Sequence, residues 1–244
     1  MDQISLFASF PSPSNLPVDF LRPYQVEALS AVNEALSVGL HPVVALPTGA
    51  GKSRIISALC HQQEGRKLVV THRKELLLQN SEEFSALDSG SSYGLYSAGL
   101  DQRETDTRIV FGGIQSIYRQ MDKLQMAGKF ELIIIDECHL VPRPSSPSMY
   151  ATVFRACPDA LRVGLSATPY RLNDGPVWDE KDAFFDTLAC DVSISSLTPL
   201  YLAPLRGILT AHDLDLSGVR IQQGEYVLSD MSQVACEETV VDGA

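Results

Sequence analysis

The 244-residue sequence has no Cys-x-x-C pair; its five cysteines, Cys60, Cys138, Cys157, Cys190 and Cys236, are scattered. That spacing excludes a zinc ribbon or a disulfide framework and fits a reducing compartment. No apolar run approaches the ~20 residues that span a bilayer. Residues 1–18 contain no Lys or Arg, so the basic start of a secretory signal is missing. These absences predict a cytoplasmic protein with no membrane partner. Positive charge is also scarce, with a net charge of -11, but the deficit is local. Residues 1–172 carry 16 basic and 17 acidic side chains, whereas residues 173–244 carry 3 and 13. The first part is thus near neutral and free to carry a basic face, and the acidity of the last part does not exclude a polyanionic partner for the rest. No internal repeat and no heptad pattern is present.

A hydrophobic content of 45% with 20% charged residues suits a globular chain with a sizeable core. Residues 1–20 form a Pro/Ser-rich lead-in, expected to be flexible. From Arg22 to Val38 the apolar positions Tyr24, Ala28, Leu29, Val32 and Leu36 recur at helical spacing. A short apolar run to Leu46, a Gly-rich turn and a helix over 52–62 follow. The alternation repeats with strands over 67–71, 108–111, 132–136 and 161–166, and helices over 74–87 and 114–121. Short buried strands alternating with helices predict an α/β domain over 21–172, a parallel sheet with helices on both faces. Residues 173–244 read as an irregular acidic exit segment, within which short helices or strands near 182–188 and 194–202 are possible.

Ligands of such sheets sit at the carboxyl ends of the strands, where each polar cluster of this sequence falls. Pro47-Thr48-Gly49-Ala50-Gly51-Lys52-Ser53 joins a buried strand to a helix. Its glycines allow backbone N–H groups to turn inward around phosphates, and the helix that follows adds its positive end. Lys52 would reach the β- and γ-phosphates of ATP, and the Ser53 hydroxyl would bind Mg2+. The strict G-x-x-x-x-G-K-[ST] pattern is relaxed here, with Leu46 in place of the first Gly. Ile133-Ile134-Ile135-Asp136-Glu137-Cys138-His139 is the second half of the site. Two adjacent acids at the end of an apolar strand repel each other unless a cation is near. Asp136 suits Mg2+, and Glu137 suits the water that attacks the γ-phosphate.

Three further clusters are less specific. Ser166 and Thr168, after the last strand, are placed to hydrogen-bond the loop from Asp136 to His139. Gln25 carries a donor and an acceptor that match an adenine edge, with Arg22 or Tyr24 packing on the base. Thr71-His72-Arg73 and Gly113-Ile114-Gln115-Ser116 open helices with groups suited to a phosphate backbone. Taken alone, each also fits a plain turn, a surface helix start or a solvated loop.

Together, these segments resemble the motifs of superfamily 2 helicases, in their order, over residues 21 to 172. The Asp-Glu-Cys-His form and the stretch Thr71-His72-Arg73-Lys74-Glu75-Leu76 are most similar to the bacterial and phage RadD-type helicases, within the group that contains the type III restriction helicase subunits. Tyr201-Leu202-Ala203-Pro204-Leu205 resembles the segment that follows the first motor domain in those proteins. The resemblance implies a RecA-like P-loop fold, use of ATP and Mg2+, and contact with nucleic acid, DNA rather than RNA. It further implies adenine recognition by Gln25 and coupling of ATP state to nucleic-acid movement through His139, Ser166 and Thr168. Such helicases complete the ATP site with arginines of a second RecA-like domain. After Thr168 only Arg171, Arg206 and Arg220 occur, none in a Q-x-x-G-R-x-x-R setting. The expectation is a fragment, or a chain whose partner supplies that domain, with residues 173–244 leading toward it. Arginine fingers contribute on the order of 10³–10⁵ in rate, so hydrolysis by this chain alone is expected to be slow. The alternative is a non-catalytic, ATP-gated module that binds nucleic acid or protein.

Overall fold

Val43, Val44, Ala45 and Leu46 are all buried, as expected for a strand with both faces covered. The computed structural model describes residues 20–171, 175–179, 182–204, 216–222 and 225–237. Apart from Phe20, the lead-in lies outside the described residues. The first helix, α1 (Pro23–Ser37), starts on a proline at its first position, where a missing N–H costs nothing. There follow β1 (Pro42–Ala45), α2 (Lys52–Gln62), β2 (Arg66–Thr71), α3 (Lys74–Leu87), β3 (Tyr93–Ser97), β4 (Gln102–Arg103) and β5 (Ile109–Gly113). The short helices α4 (Ile114–Ile117) and α5 (Met121–Leu124) lead into β6 (Phe130–Asp136), α6 (Met149–Ala156) and β7 (Leu161–Ser166).

An eight-stranded sheet has the order β10-β1-β7-β6-β2-β5-β3-β4, in which β10 is Thr187–Asp191. Every pairing is parallel except that of β3 with β4. Because successive side chains of a strand point to opposite faces, the strands divide their apolar residues between two cores. Val44, Val69, Phe111, Ile134 and Leu165 meet Leu29 of α1, Ile55 and Leu59 of α2, and Leu77 and Phe84 of α3. Val43, Leu68, Val70, Val110, Ile133 and Ile135 meet Ile114 of α4, Leu124 of α5, and Val153 and Phe154 of α6 on the other side. The expected architecture of a parallel sheet with helices on both faces is therefore present.

Two expectations are corrected. The helix expected over 114–121 is two short helices, α4 and α5, separated by Tyr118 to Gln120. The sheet also does not end before residue 172. Beyond the two-stranded ribbon of β8 (Tyr170–Arg171) and β9 (Gly175–Pro176), β10 pairs in parallel with β1. It covers what would be an open sheet edge beside the glycine-rich turn of residues 47–53. Asp186 fixes its start, accepting the His41 backbone N–H at 2.7 Å and donating its own N–H to the His41 carbonyl at 2.8 Å. The helical turn α7 (Ile194–Leu197) follows, and the described remainder comprises the hairpin of β11 (Ile221–Gln222) with β12 (Glu225–Tyr226) and helix α8 (Leu228–Glu237). Among the described residues no helix is long and apolar enough to cross a membrane.

Candidate active site

The turn after β1 adopts the backbone that its glycines permit. Gly49 has φ 82° and Gly51 φ 77°, in the left-handed region where side chains are disfavoured. A Cβ on Gly51 would lie 2.5 Å from Gln25 Nε2, and one on Gly49 would lie 3.2 Å from Leu202 Cδ2. Lys52 and Ser53 open α2 directly after the turn. The expected residues of this segment, from Pro47 to Ser53, thus form one cradle at the carboxyl end of the sheet.

Asp136 ends β6 and Glu137 follows it, with only β7 between that strand and β1. Lys52 Nζ lies 3.8 Å from Glu137 Oε1, so the glycine turn and the acidic pair face one space. Glu137 has φ 57° and ψ 52°, a left-handed conformation that costs a non-glycine residue about 1–2 kcal/mol. Burial alone would push its carboxyl up. The hydrogen bond from His139, with the charges of Lys52, His139 and His72, outweighs burial and holds it below its ordinary value. Glu137 is therefore kept ionised.

Asp136 is buried, and burial pushes its carboxyl above the ordinary range, against an opposing hydrogen bond from Asn80. Asn80 Nδ2 donates to Asp136 Oδ2 at 2.9 Å, and Gln79 Nε2 donates to Ser53 Oγ at 3.3 Å. Neither amide carries a local signal in the sequence, since both contacts arise from helix packing. Ser53 and Asp136 supply hard oxygen donors of the type Mg2+ prefers. With an adjacent acidic pair, one of them buried, the donor set fits that ion.

The acidic loop meets the end of β7 through side chains. His139 Nδ1 is 2.8 Å from Ser166 Oγ and 3.4 Å from Glu137 Oε2. Ser166 Oγ also accepts the Thr168 N–H at 3.1 Å. Ser166 is fully buried, while Thr168 is exposed.

Gln25 departs from its expected role. It is buried, with Oε1 accepting the Arg22 N–H at 2.8 Å and Nε2 donating to the carbonyls of Ala50 at 2.8 Å and Gly51 at 3.3 Å. Tyr24 Oη donates to the same Ala50 carbonyl at 2.9 Å. Both side chains brace the glycine turn instead of presenting an edge outward. Over them lies Tyr201, missed as a site residue. Its ring sits 5.1 Å from that of Tyr24 and 5.0 Å from the Arg22 guanidinium.

The two loops expected to face nucleic acid meet through Gln115 Nε2, which donates to the His72 carbonyl at 3.3 Å. Arg73 and Gln115 are exposed, and His72 and Ser116 are half-buried. Thr71 and Gly113 are buried, and Thr71 donates its hydroxyl to the Arg73 carbonyl; they shape the surface without forming it. A neighbouring cleft of about 410 Å3 adds cations that sequence reasoning missed, Arg103, Arg119 and Lys123, beside Tyr96, Gln115 and Ser116.

Residues 20–171 match the family model described as type III restriction enzyme, res subunit. The chain belongs to this family. A relative of this res-family chain is a 51.5 kDa protein of a Lactococcus phage (isolate 7-9), 27% identical over 183 residues, covering 74% of this chain and 35% of that protein. The DNA 3'-5' translocase XPB2 of Sulfurisphaera tokodaii is 31% identical over 157 residues, 64% of this chain and 32% of its own length. The res-family chain thus spans about a third of these relatives. Among solved structures, the Sulfolobus solfataricus SWI2/SNF2 ATPase core in complex with dsDNA is similar in fold. Its TM-score is 0.51 at 20% identity, covering 66% of this chain and 35% of that one. The fold is similar to that of helicase RecA-like domains, and the family match covers the same residues that build it.

Proposed function

We propose that this chain is the ATP-binding motor domain of a DNA helicase or translocase, hydrolysing ATP with Mg2+ while bound to nucleic acid. The observation that carries the proposal is the approach of Lys52 to Glu137 across the mouth of the glycine turn. A cation placed for phosphate and an ionised carboxylate placed for water share one space. Lys52 and the backbone N–H groups of Gly49, Gly51, Lys52 and Ser53 hold the β- and γ-phosphates. Ser53 and Asp136 hold Mg2+, which supplies charge stabilisation to the phosphoryl oxygens when bound. Glu137 orients the attacking water and accepts its proton. His139 and Ser166 join Glu137 to the end of β7. Arg73, Gln115 and the neighbouring basic cleft face the nucleic-acid backbone. A second RecA-like domain, in cis or in trans, supplies the arginines that complete the site.

Steady-state ATPase measurements with and without single-stranded and double-stranded DNA test this. Turnover stimulated by DNA, and abolished in Lys52→Ala and Glu137→Gln, is the expected result once the second domain is present. ATP binding without turnover in that complete form would instead identify a nucleotide-gated module. Absence of ATP binding would sink the proposal altogether.

A further inference from the structure

The two side chains best suited to Mg2+, Ser53 and Asp136, come from different elements, and each touches a neighbouring amide on a third. Gln79 and Asn80 are consecutive on α3, yet they serve different loops. Gln79 Nε2 reaches Ser53 Oγ at 3.3 Å on the exposed side, and Asn80 Nδ2 reaches Asp136 Oδ2 at 2.9 Å in the interior. Consecutive helical residues point about 100° apart, so one turn of α3 spans the groove between the phosphate loop and the acidic strand end.

Asn80 is 1% exposed and Asp136 3%. A buried carboxylate needs donors, and an amide that donates to one oxygen fixes which lone pairs remain for another ligand. Asp136 Oδ1 meanwhile accepts the Glu137 backbone N–H at 3.1 Å. The carboxylate is therefore oriented from both sides. The hydroxyl of Ser53, accepting from Gln79, has its own proton turned elsewhere and keeps a lone pair for the cation. Rigid packing holds the spacing, because Leu77 and Phe84 of the same helix are fully buried in the core against α2 and β5.

We infer that Gln79 and Asn80 are positioning residues for the metal–nucleotide complex, with α3 setting the separation and orientation of Ser53 and Asp136. The assignment rests on the Mg2+–ATP function proposed above. Neither amide touches phosphate; both act through the residues that hold the ion. The same helix begins at Lys74, immediately after the Thr71–Arg73 loop, so the metal-side residues are fixed by an element whose first turn belongs to the nucleic-acid face.

The test is a titration of the full chain with a fluorescent ATP analogue, with Mg2+ and with EDTA. The readout is the ratio of the two affinities. Wild type is expected to bind more tightly with Mg2+. Asn80→Leu, which keeps the same branched arrangement of side-chain heavy atoms without the donor, and Gln79→Ala are each expected to reduce that ratio about 5-fold or more. Asn80→Ser, which restores a shorter donor, is expected to recover part of it. A ratio equal to wild type in both variants overturns the inference. Should Asn80→Leu fail to fold, Gln79→Ala, at an exposed position, still decides the question. Lys52→Ala keeps the two levels separate: if wild type binds the analogue no better than Lys52→Ala does, the nucleotide site is wrong. Binding lost in Lys52→Ala, with an unchanged Mg2+ ratio in the α3 variants, removes only the positioning role.

Discussion

Lys52 Nζ stands 3.8 Å from Glu137 Oε1, with both side chains largely shielded from solvent. In the proposed function an entering phosphate would draw the lysine to a stronger anion and release Glu137 toward water. The two substitutions should therefore separate. Lys52→Ala removes charge-assisted bonds worth about 1.5–3 kcal/mol, so ATP affinity is expected to fall about 10- to 100-fold. Glu137→Gln keeps the shape and removes the base, so binding should persist while turnover of the complete two-domain enzyme falls by about 10²–10⁴. Nucleotide titration and single-turnover hydrolysis measure the two effects. Equal loss of binding in both variants would contradict the assigned roles.

Tyr201 contacts Tyr24 edge-on and Arg22 through its ring face, while Leu202 rests near Gly49. The segment after β10 is thus a brace on the glycine turn and the start of α1. Removing the Tyr201 ring forfeits an aromatic pair and a cation–π contact, together about 1–2 kcal/mol. Tyr201→Ala is expected to lower the melting temperature slightly and to weaken ATP binding about 3- to 10-fold, as the loop loses its cover. Tyr201→Phe should behave as wild type. Wild-type ATP affinity in Tyr201→Ala would show that the contact serves packing alone.

Much of this site was legible because certain residues are forced by backbone or charge. Only glycine relieves the left-handed turns at Gly49 and Gly51, and an apolar strand ends in Asp136-Glu137 only for a reason. Residues whose roles depend on what packs opposite them were not legible. Gln25 offers the right groups for an adenine, but nothing local says that the Ala50 carbonyl will stand 2.8 Å from its amide nitrogen and take the donor. Asn80 and Tyr201 meet partners 56 and 177 positions distant in the chain. An element near 182–188 was possible from the sequence, but neither its type nor its place as β10 (Thr187–Asp191) was legible, because the strand lies among acids and its place depends on the open edge of β1.

Arg103, Arg119 and Lys123 line one cleft beside Gln115, so a phosphate backbone gripping that loop should run through it. Replacing all three by glutamate is expected to weaken single-stranded DNA binding by at least about 10-fold at low salt. The slope of log affinity against log salt should flatten by about 0.7 for each phosphate no longer neutralised. Fluorescence anisotropy over a salt series measures both quantities. ATP binding should be unaffected, since none of the three approaches the phosphate loop. An unchanged salt slope would exclude the cleft from the path.

Lys67 is fully buried in β2, its Nζ donating to the Gly65 carbonyl at 3.1 Å. Burial, reinforced by the Arg108 charge, lowers its ammonium from an ordinary 10.5 to about 8. Below about pH 8 the lysine is protonated in both folded and unfolded chains, and the cost of burying the charge is fully felt. Between those two values the unfolded chain binds a proton that the folded chain does not, so stability rises with pH. Above 10.5 both are neutral and the cost has gone. Lys67→Met, which keeps the stem without the charge, is therefore expected to stabilise the fold by about 1–3 kcal/mol near neutral pH. Its advantage over wild type should shrink when urea unfolding is repeated at about pH 9.5. An advantage that stays constant across that interval would mean that the buried charge is not what Lys67 costs the fold.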